Sequence, residues 1–322
     1  MQGAAAYFGE SVENHGLNFS VLAFHTEPLF GCSVVFYPPR TTIGRSGVLS
    51  RNLDFTTGNM IGRRPRGTQP AALSRPYIIE SYPDEGYPSL FLCSMDLLGT
   101  AFDGINSQGL CAALLTDTEL MREHKMEPSN DLQVGFNEIQ LIRYLLETCA
   151  DVDEAKDALL QVKQYYSFVP CHYIIADANG RAFLWELSYS RNKSHIIDSD
   201  GEPLVTTNFM LHQYPDRKKL PTERNPQGIY SRFRRLSERI GKHEGGYDLE
   251  FIKETSACVA FDKLAPPANS PWMPNRTIWH ALYVPDELLL MVDFYLGESI
   301  DPADPSKPLV QRSGYLEFRL EP

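Results

Sequence analysis

The chain has little of what would place it with nucleic acids, membranes or metals. Its 322 residues carry 30 Lys and Arg against 41 Asp and Glu, a formal charge of −11, which argues against nucleic acid or an anionic membrane surface as a partner. Lysine is absent from the first forty residues and Arg40 is their only arginine, so the basic start of a secretory signal and the arginines of a transit peptide are both missing. No apolar run is long enough to span a bilayer, and a cytoplasmic location is the expectation. The six cysteines, Cys32, Cys93, Cys111, Cys149, Cys171 and Cys258, show no paired spacing. Neither a disulfide framework nor a zinc-ligand pattern is signalled, and a reducing compartment fits. A glycine-rich phosphate loop, a His-Glu-x-x-His helix and a metal-spaced carboxylate cluster are absent too, so no cofactor is implied. Without an internal repeat, a low-complexity tract or a linker, a chain that is 43% hydrophobic reads as one large layered domain.

What is present is Gly31-Cys32, followed one hairpin later by Arg51-Asn52-Leu53-Asp54. A thiol with an ordinary pKa of about 8.5 is a poor nucleophile until a base or a cation assists it. A cysteine made N-terminal carries its own base, an α-amine titrating at about 7.7–8, so no separate histidine has to be positioned. The residue before it must then be removable. Gly31 suits that role because, lacking Cβ, it leaves its carbonyl open to the Cys32 thiol.

Periodicity gives the surrounding elements. Residues 18–25 form an apolar strand-like run. Residues 32–37 and 47–54 read as a hairpin joined through Pro38-Pro39 and a turn containing Gly44. Further strands are expected at 77–82, 88–94 and 110–115, the last entered through the turn-rich Asp103–Gly109. The period then becomes helical from Asn137 to Cys149, and a second helix over 152–162 follows the cap candidate Asp151. Strands return at 171–176, 182–187, 194–197 and 203–207, helices at 229–241 and 248–258, and strands at 278–284, 287–294 and 313–319. The order of strands, helix pair, strands, helix pair and strands matches an α+β, four-layer αββα sandwich, two antiparallel sheets face to face with helices outside.

Taken in order, Gly31-Cys32-Ser33, Ser50–Phe55, Asp103–Leu110, Thr206-Thr207-Asn208 and Tyr230–Phe233 resemble the N-terminal-nucleophile (Ntn) hydrolases. The resemblance is to the choloylglycine hydrolase and penicillin acylase group of linear amidases, and to the autoproteolytic acyltransferases that cut before a cysteine. It implies an Ntn-hydrolase fold, with residues 1–31 a leader removed by autoproteolysis and 32–322 a single domain. It implies Cys32 as nucleophile and its freed amine as base, with Arg51 beside the thiolate and Asp54 orienting the amine. Asn208 is implied as an oxyanion donor, and Arg232 completes the polar network. Where related hydrolases carry a second oxyanion asparagine, this chain has Thr116, whose hydroxyl or a backbone amide would have to substitute.

The substrate class implied is a small-molecule linear, non-peptide amide, cleaved through a thioester on Cys32. Acyl transfer to an amine is the same chemistry with another acceptor, and an uncleaved, non-catalytic homologue binding a ligand or partner is the third reading. Self-association as a homo-oligomer is left open. Two geometric expectations go with this. Arg51 and Asp54, three apart on a strand, point to opposite faces, so converging on one cysteine requires a strand end or bulge near Asn52-Leu53. His212 is the alternative histidine partner for Cys32, and Arg217-Lys218-Lys219 reads as a solvated basic run.

Overall fold

The structure, a computed structural model, describes residues 31–57, 76–94, 101–123, 135–166, 169–188, 193–263, 275–304 and 308–321. The strand expected at 18–25 and residues 1–30 of the expected leader 1–31 lie outside these residues.

Among the described residues, thirteen strands form two antiparallel sheets. The first contains β1 (Gly31–Tyr37), β2 (Val48–Thr56), β10 (Leu204–Thr206), β11 (Asn275–Val284), β12 (Leu289–Ile300) and β13 (Pro308–Arg319), in the order β10-β1-β2-β11-β12-β13. The second runs in chain order from β3 (Tyr77–Ser81) through β4 (Ser89–Cys93), β5 (Asp103–Asn106), β6 (Cys111–Thr116), β7 (Cys171–Ala176) and β8 (Ala182–Ser188) to β9 (Lys193–Asp198). A short helix α1 (Thr118–Glu123) leaves β6. Next come α2 (Glu138–Thr148), α3 (Val152–Gln161), α4 (Ile229–Lys242) and α5 (Leu249–Ala257).

The layers follow from which faces are apolar. The helix α2 buries Ile139, Leu141, Ile142, Leu145 and Leu146 and packs on β4, β5 and β6, while α3 packs on β7. On the other side α4 packs on β1 and β10, and α5 on β2. Between them β1 faces β6, and the two inner faces close over a continuous core that includes Val34, Leu53, Leu114, Tyr173, Trp185 and Trp279. This is the expected αββα sandwich. Among the described residues no helix is long and apolar enough to cross a membrane.

Capping residues set the helix boundaries where the sequence places them. Asn137 opens α2 with a capping box in which Gln140 answers it. Asp151 accepts from the Asp153 and Glu154 N–H groups to open α3, and Asp248 does the same for Phe251 in α5. Several elements differ from expectation: β12 and β13 run longer than the expected 287–294 and 313–319, and Pro285–Glu287 is a 3-10 turn ahead of β12. Asp103–Asn106 is a strand in its own right, and the turn is confined to the residues just after it, where Gly109 adopts a φ of 78°. Helix α1 has no periodic signal because it is only six residues long.

Candidate active site

Strand register brings the site together. In the β1–β2 ladder Gly31 pairs with Asp54, Cys32 with Leu53 and Val34 with Arg51. Arg51 is therefore the diagonal neighbour of Cys32 on the same, inner face, within reach of a long side chain. Its Nη2 lies 3.8 Å from Cys32 Sγ and donates to the Leu114 carbonyl at 3.2 Å. On the other edge of β1, Val34 pairs with Thr206. Two residues on, past the end of β10, Asn208 falls opposite Cys32, and its Oδ1 accepts from the Cys32 N–H at 2.7 Å.

Helix α4 supplies the next group. Glu223 Oε2 accepts from the Tyr230 and Ser231 N–H groups at 2.8 and 2.9 Å, fixing the helix start. One residue later Arg232 projects inward, where it is 1% exposed. Its Nη1 donates to the Cys32 carbonyl and its Nη2 to Asn208 Oδ1, each at 2.6 Å. With Oδ1 held by two N–H donors, the Asn208 Nδ2 points the other way and donates to the Thr116 carbonyl at 2.8 Å and Thr116 Oγ1 at 3.1 Å. Asn208 thus ties Cys32, Arg232 and Thr116 together.

Asp54 sits on the opposite face of β2 from Arg51, beside Gly31. Its Oδ1 accepts from Thr277 Oγ1 at 2.6 Å, and its Oδ2, buried without a hydrogen bond, lies 3.8 Å from Arg232 Nη1. The bulge expected in β2 is not there, since β2 pairs with β1 without a break. The register shift lies in the neighbouring strand, between Thr277 and Trp279 of β11. It lets Thr277 meet Asp54 on the outer face while Trp279 turns inward. The reason no bulge is needed is that Arg51 and Asp54 do not converge on one atom. Arg51 serves the sulfur side of Cys32, and Asp54 the side of the Gly31–Cys32 peptide.

Burial dominates the electrostatics. It pushes the Cys32 thiol above its ordinary range, with Arg51 pulling it down and Asp54 adding to the rise. Burial also raises the Asp54 carboxyl to about 7, against the opposing pull of Arg232 and Thr277. The site is sealed on the Gly31 side by Phe261, whose ring lies 5.5 Å from the Arg232 guanidinium carbon. A Cβ on residue 31 would come 3.1 Å from Phe261 Cζ and 2.9 Å from Asp54 Cβ.

The structure therefore gathers Gly31, Cys32, Arg51, Asp54, Thr116, Asn208 and Arg232 in one place. His212 is not among them. Its Nδ1 lies 2.6 Å from the buried Glu186 Oε2, and its ring stacks on His195 with centroids 3.7 Å apart. The basic run 217–219 forms a single 3-10 turn, with Arg217 turned in to donate to the Leu211 carbonyl at 2.5 Å. Sequence reasoning missed Asp103, which meets Arg51 from the other sheet, with Asp103 Oδ2 2.6 Å from Arg51 Nε. It also missed Thr277, whose hydroxyl accepts from the Phe261 N–H at 3.0 Å while donating to Asp54. The Asp103–Gly109 stretch is conspicuous in the sequence, but as a turn, and nothing in a single threonine marks Thr277.

Comparison with known proteins supports the same fold. A family model described as acyl-coenzyme A:6-aminopenicillanic acid acyl-transferase matches residues 44–286. No curated protein matches by sequence. A mutant of the conjugated bile acid hydrolase from Clostridium perfringens superposes with a TM-score of 0.60 at 14% identity, over 87% of this chain and 96% of its own. Penicillin V acylase from Agrobacterium tumefaciens gives a TM-score of 0.56 at 16% identity, over 83% of each chain. The architecture is that of the Ntn hydrolases.

Proposed function

Because this chain belongs to the acyl-coenzyme A:6-aminopenicillanic acid acyl-transferase family, we propose that it is a cysteine amidase that cleaves a linear, non-peptide amide after releasing its own Cys32. The observation that carries this reading is the grip on Cys32 from every side. Asn208 Oδ1 holds its N–H at 2.7 Å, Arg232 holds its carbonyl at 2.6 Å, and Arg51 lies 3.8 Å from its sulfur. A buried structural cysteine needs none of these.

Release begins with attack of the Cys32 thiol on the Gly31 carbonyl. The C–N bond breaks, the proton passes to the departing nitrogen, and a thioester forms between Gly31 and Cys32 Sγ. Water then hydrolyses the thioester, leaving a Gly31 carboxylate and a free Cys32 amine. Asp54, opposite Gly31, is placed to orient that amine, and the Arg51 cation favours the thiolate.

In turnover the amine takes the thiol proton, and the thiolate attacks the substrate carbonyl. Asn208 Nδ2 stabilises the oxyanion, with the Thr116 segment as its support. The protonated amine delivers its proton to the leaving nitrogen, and water resolves the acyl-enzyme. The family name and the two structural relatives, a bile acid hydrolase and a penicillin acylase, support reading the second step as either transfer to an amine or hydrolysis.

The test is the intact mass and N-terminal sequence of the purified protein beside Cys32→Ala. A fragment starting at Cys32 in the wild type alone, with amide turnover that the variant lacks, supports the proposal. An uncut wild-type chain under all conditions sinks it and favours a ligand-binding homologue. Product partition with an added amine separates transferase from hydrolase.

A further inference from the structure

We propose that Asp103 is the positioning residue of the Cys32 site, holding the Arg51 guanidinium by its Nε edge so that the Nη2 group stays turned on the sulfur. The inference rests on reading Cys32 as the nucleophile.

The two charges meet at the centre of the sandwich. Arg51 projects from the inner face of β2 and Asp103 from the inner face of β5, and both are 0% exposed. Neither can be solvated, so each depends on the other for neutralisation. The carboxylate is itself fixed from the first sheet. Trp279 Nε1 donates to its Oδ2 at 3.2 Å, and the Tyr283 hydroxyl donates to its Oδ1. The guanidinium carbon lies 5.4 Å from the Trp279 ring centre, which keeps its plane against the indole. Since Trp279 and Tyr283 are both on β11 and Asp103 is on β5, the position of Arg51 is set by the closure of the two sheets rather than by its own strand.

This clamp leaves the guanidinium with a defined surplus. Its Nε edge is ion-paired with Asp103 at 2.6 Å and its Nη2 is shared between the Leu114 carbonyl and Cys32 Sγ, while Nε and Nη1 are both buried without a hydrogen-bond acceptor. Remove the Asp103 charge and the Cys32 thiol, 3.8 Å from Nη2, is a group able to become an anion for Arg51. Asp103 therefore does two things at once. It aims the cation, and by neutralising it in the resting site it keeps the thiol from ionising before the amine is free to act as base.

The experiment follows Cys32 alkylation by iodoacetamide against pH, read peptide by peptide by mass spectrometry, and so needs no amide substrate. In Asp103→Asn the midpoint of the profile is expected to move by about one pH unit or more relative to wild type, downward where the lost neutralisation of Arg51 outweighs its lost aim and upward where the aim dominates. In an Arg51→Gln background the same substitution is expected to move nothing, because the effect runs through the guanidinium. An unmoved midpoint in folded Asp103→Asn overturns the proposal, and so does an equal displacement with and without Arg51, which would make Asp103 a direct electrostatic neighbour. Should Asp103→Asn fail to fold, Tyr283→Phe replaces it, expected to move the midpoint in an Arg51-dependent way without changing any charge. Loss of turnover in Cys32→Ala is scored separately, so failure of the amidase reading is distinguishable from failure of this one.

Discussion

Asp54 lies directly across the β1–β2 ladder from Gly31, on the face of the sheet that Arg51 does not occupy. The Gly31–Cys32 peptide is therefore bordered by a carboxylate on one side of the sheet and the Cys32 sulfur by a guanidinium on the other. The absence of a side chain at residue 31 is what lets the carboxylate come so close.

Replacing Gly31 by alanine tests this. The added Cβ would lie 2.9 Å from Asp54 Cβ and 3.0 Å from its Oδ2, so the carboxylate or the strand start must shift. Gly31→Ala is expected to destabilise the uncut chain by about 1–3 kcal/mol, the usual range for overpacking a buried site. The chain is kept uncut by Cys32→Ala for the melting comparison. With Cys32 restored, slower release of the fragment should accompany the loss. Equal melting and equal cleavage would mean that the strand start adjusts freely.

The raised carboxyl of Asp54 has a pH signature. Its pKa goes from an ordinary 3.8 to about 7 in the fold, burial being the largest cause. The folded state then holds a proton that the unfolded chain has lost between these values. The destabilisation is absent below about pH 4, grows as pH rises and is complete above about pH 7. A pKa raised by one is worth about 1.4 kcal/mol, so the total is on the order of 4 kcal/mol. Asp54→Asn, which keeps an acceptor for Thr277, removes the titration. In a Cys32→Ala background, urea unfolding at about pH 5 and about pH 8, on either side of the folded-state value, should show the Asp54 protein losing stability relative to Asp54→Asn as pH rises. A difference that is the same at both values would mean that the carboxyl is not raised.

Arg232→Lys should be costly despite keeping the charge. The fork of Arg232 reaches both the Cys32 carbonyl and Asn208 Oδ1 at 2.6 Å, and a single ammonium cannot serve both positions in the same geometry. Cleavage before Cys32 is expected to slow by about 10-fold or more, following the loss of one charge-assisted bond of about 1.5–3 kcal/mol. Densitometry of fragment release over time reads it. Wild-type release by Arg232→Lys would assign Arg232 to helix packing alone.

Much of this is legible in the sequence because it depends on local rules. The hairpin of Cys32 and Asp54, the cap at Asp151, the helix starts at Asn137 and Asp248, and the order of sheets and helix pairs all follow from periodicity and turn chemistry. Arg51, Asp54, Asn208 and Arg232 emerge through a resemblance, and register then explains why they meet. What a sequence does not display is what the second sheet brings to the first. Asp103 reaches Arg51 only when the two sheets close, and no spacing rule joins residues on different sheets. Likewise the bulge expected in β2 stands in β11, since a register shift belongs to a pair of strands and one strand's sequence does not name its partner.

The support of Asn208 by Thr116 separates two roles that one residue combines. Asn208 accepts from Cys32 and Arg232 through Oδ1 and donates to Thr116 through Nδ2. Thr116→Val removes only the hydroxyl contact at 3.1 Å and leaves the carbonyl contact at 2.8 Å, so turnover should fall by less than about 10-fold, one neutral hydrogen bond's worth. Asn208→Asp keeps the acceptor that holds the Cys32 nitrogen but turns the donor into a second acceptor facing the Thr116 oxygens. If Nδ2 is the oxyanion donor, that variant should lose about 100-fold or more in kcat. Asn208→Ala should lose as much and also weaken the hold on Arg232. Kinetics on the processed enzyme with an amide substrate decide the matter. A kcat for Asn208→Asp close to wild type would show that the oxyanion is stabilised by backbone N–H groups, leaving Asn208 as the clasp that holds the end of β1 in register.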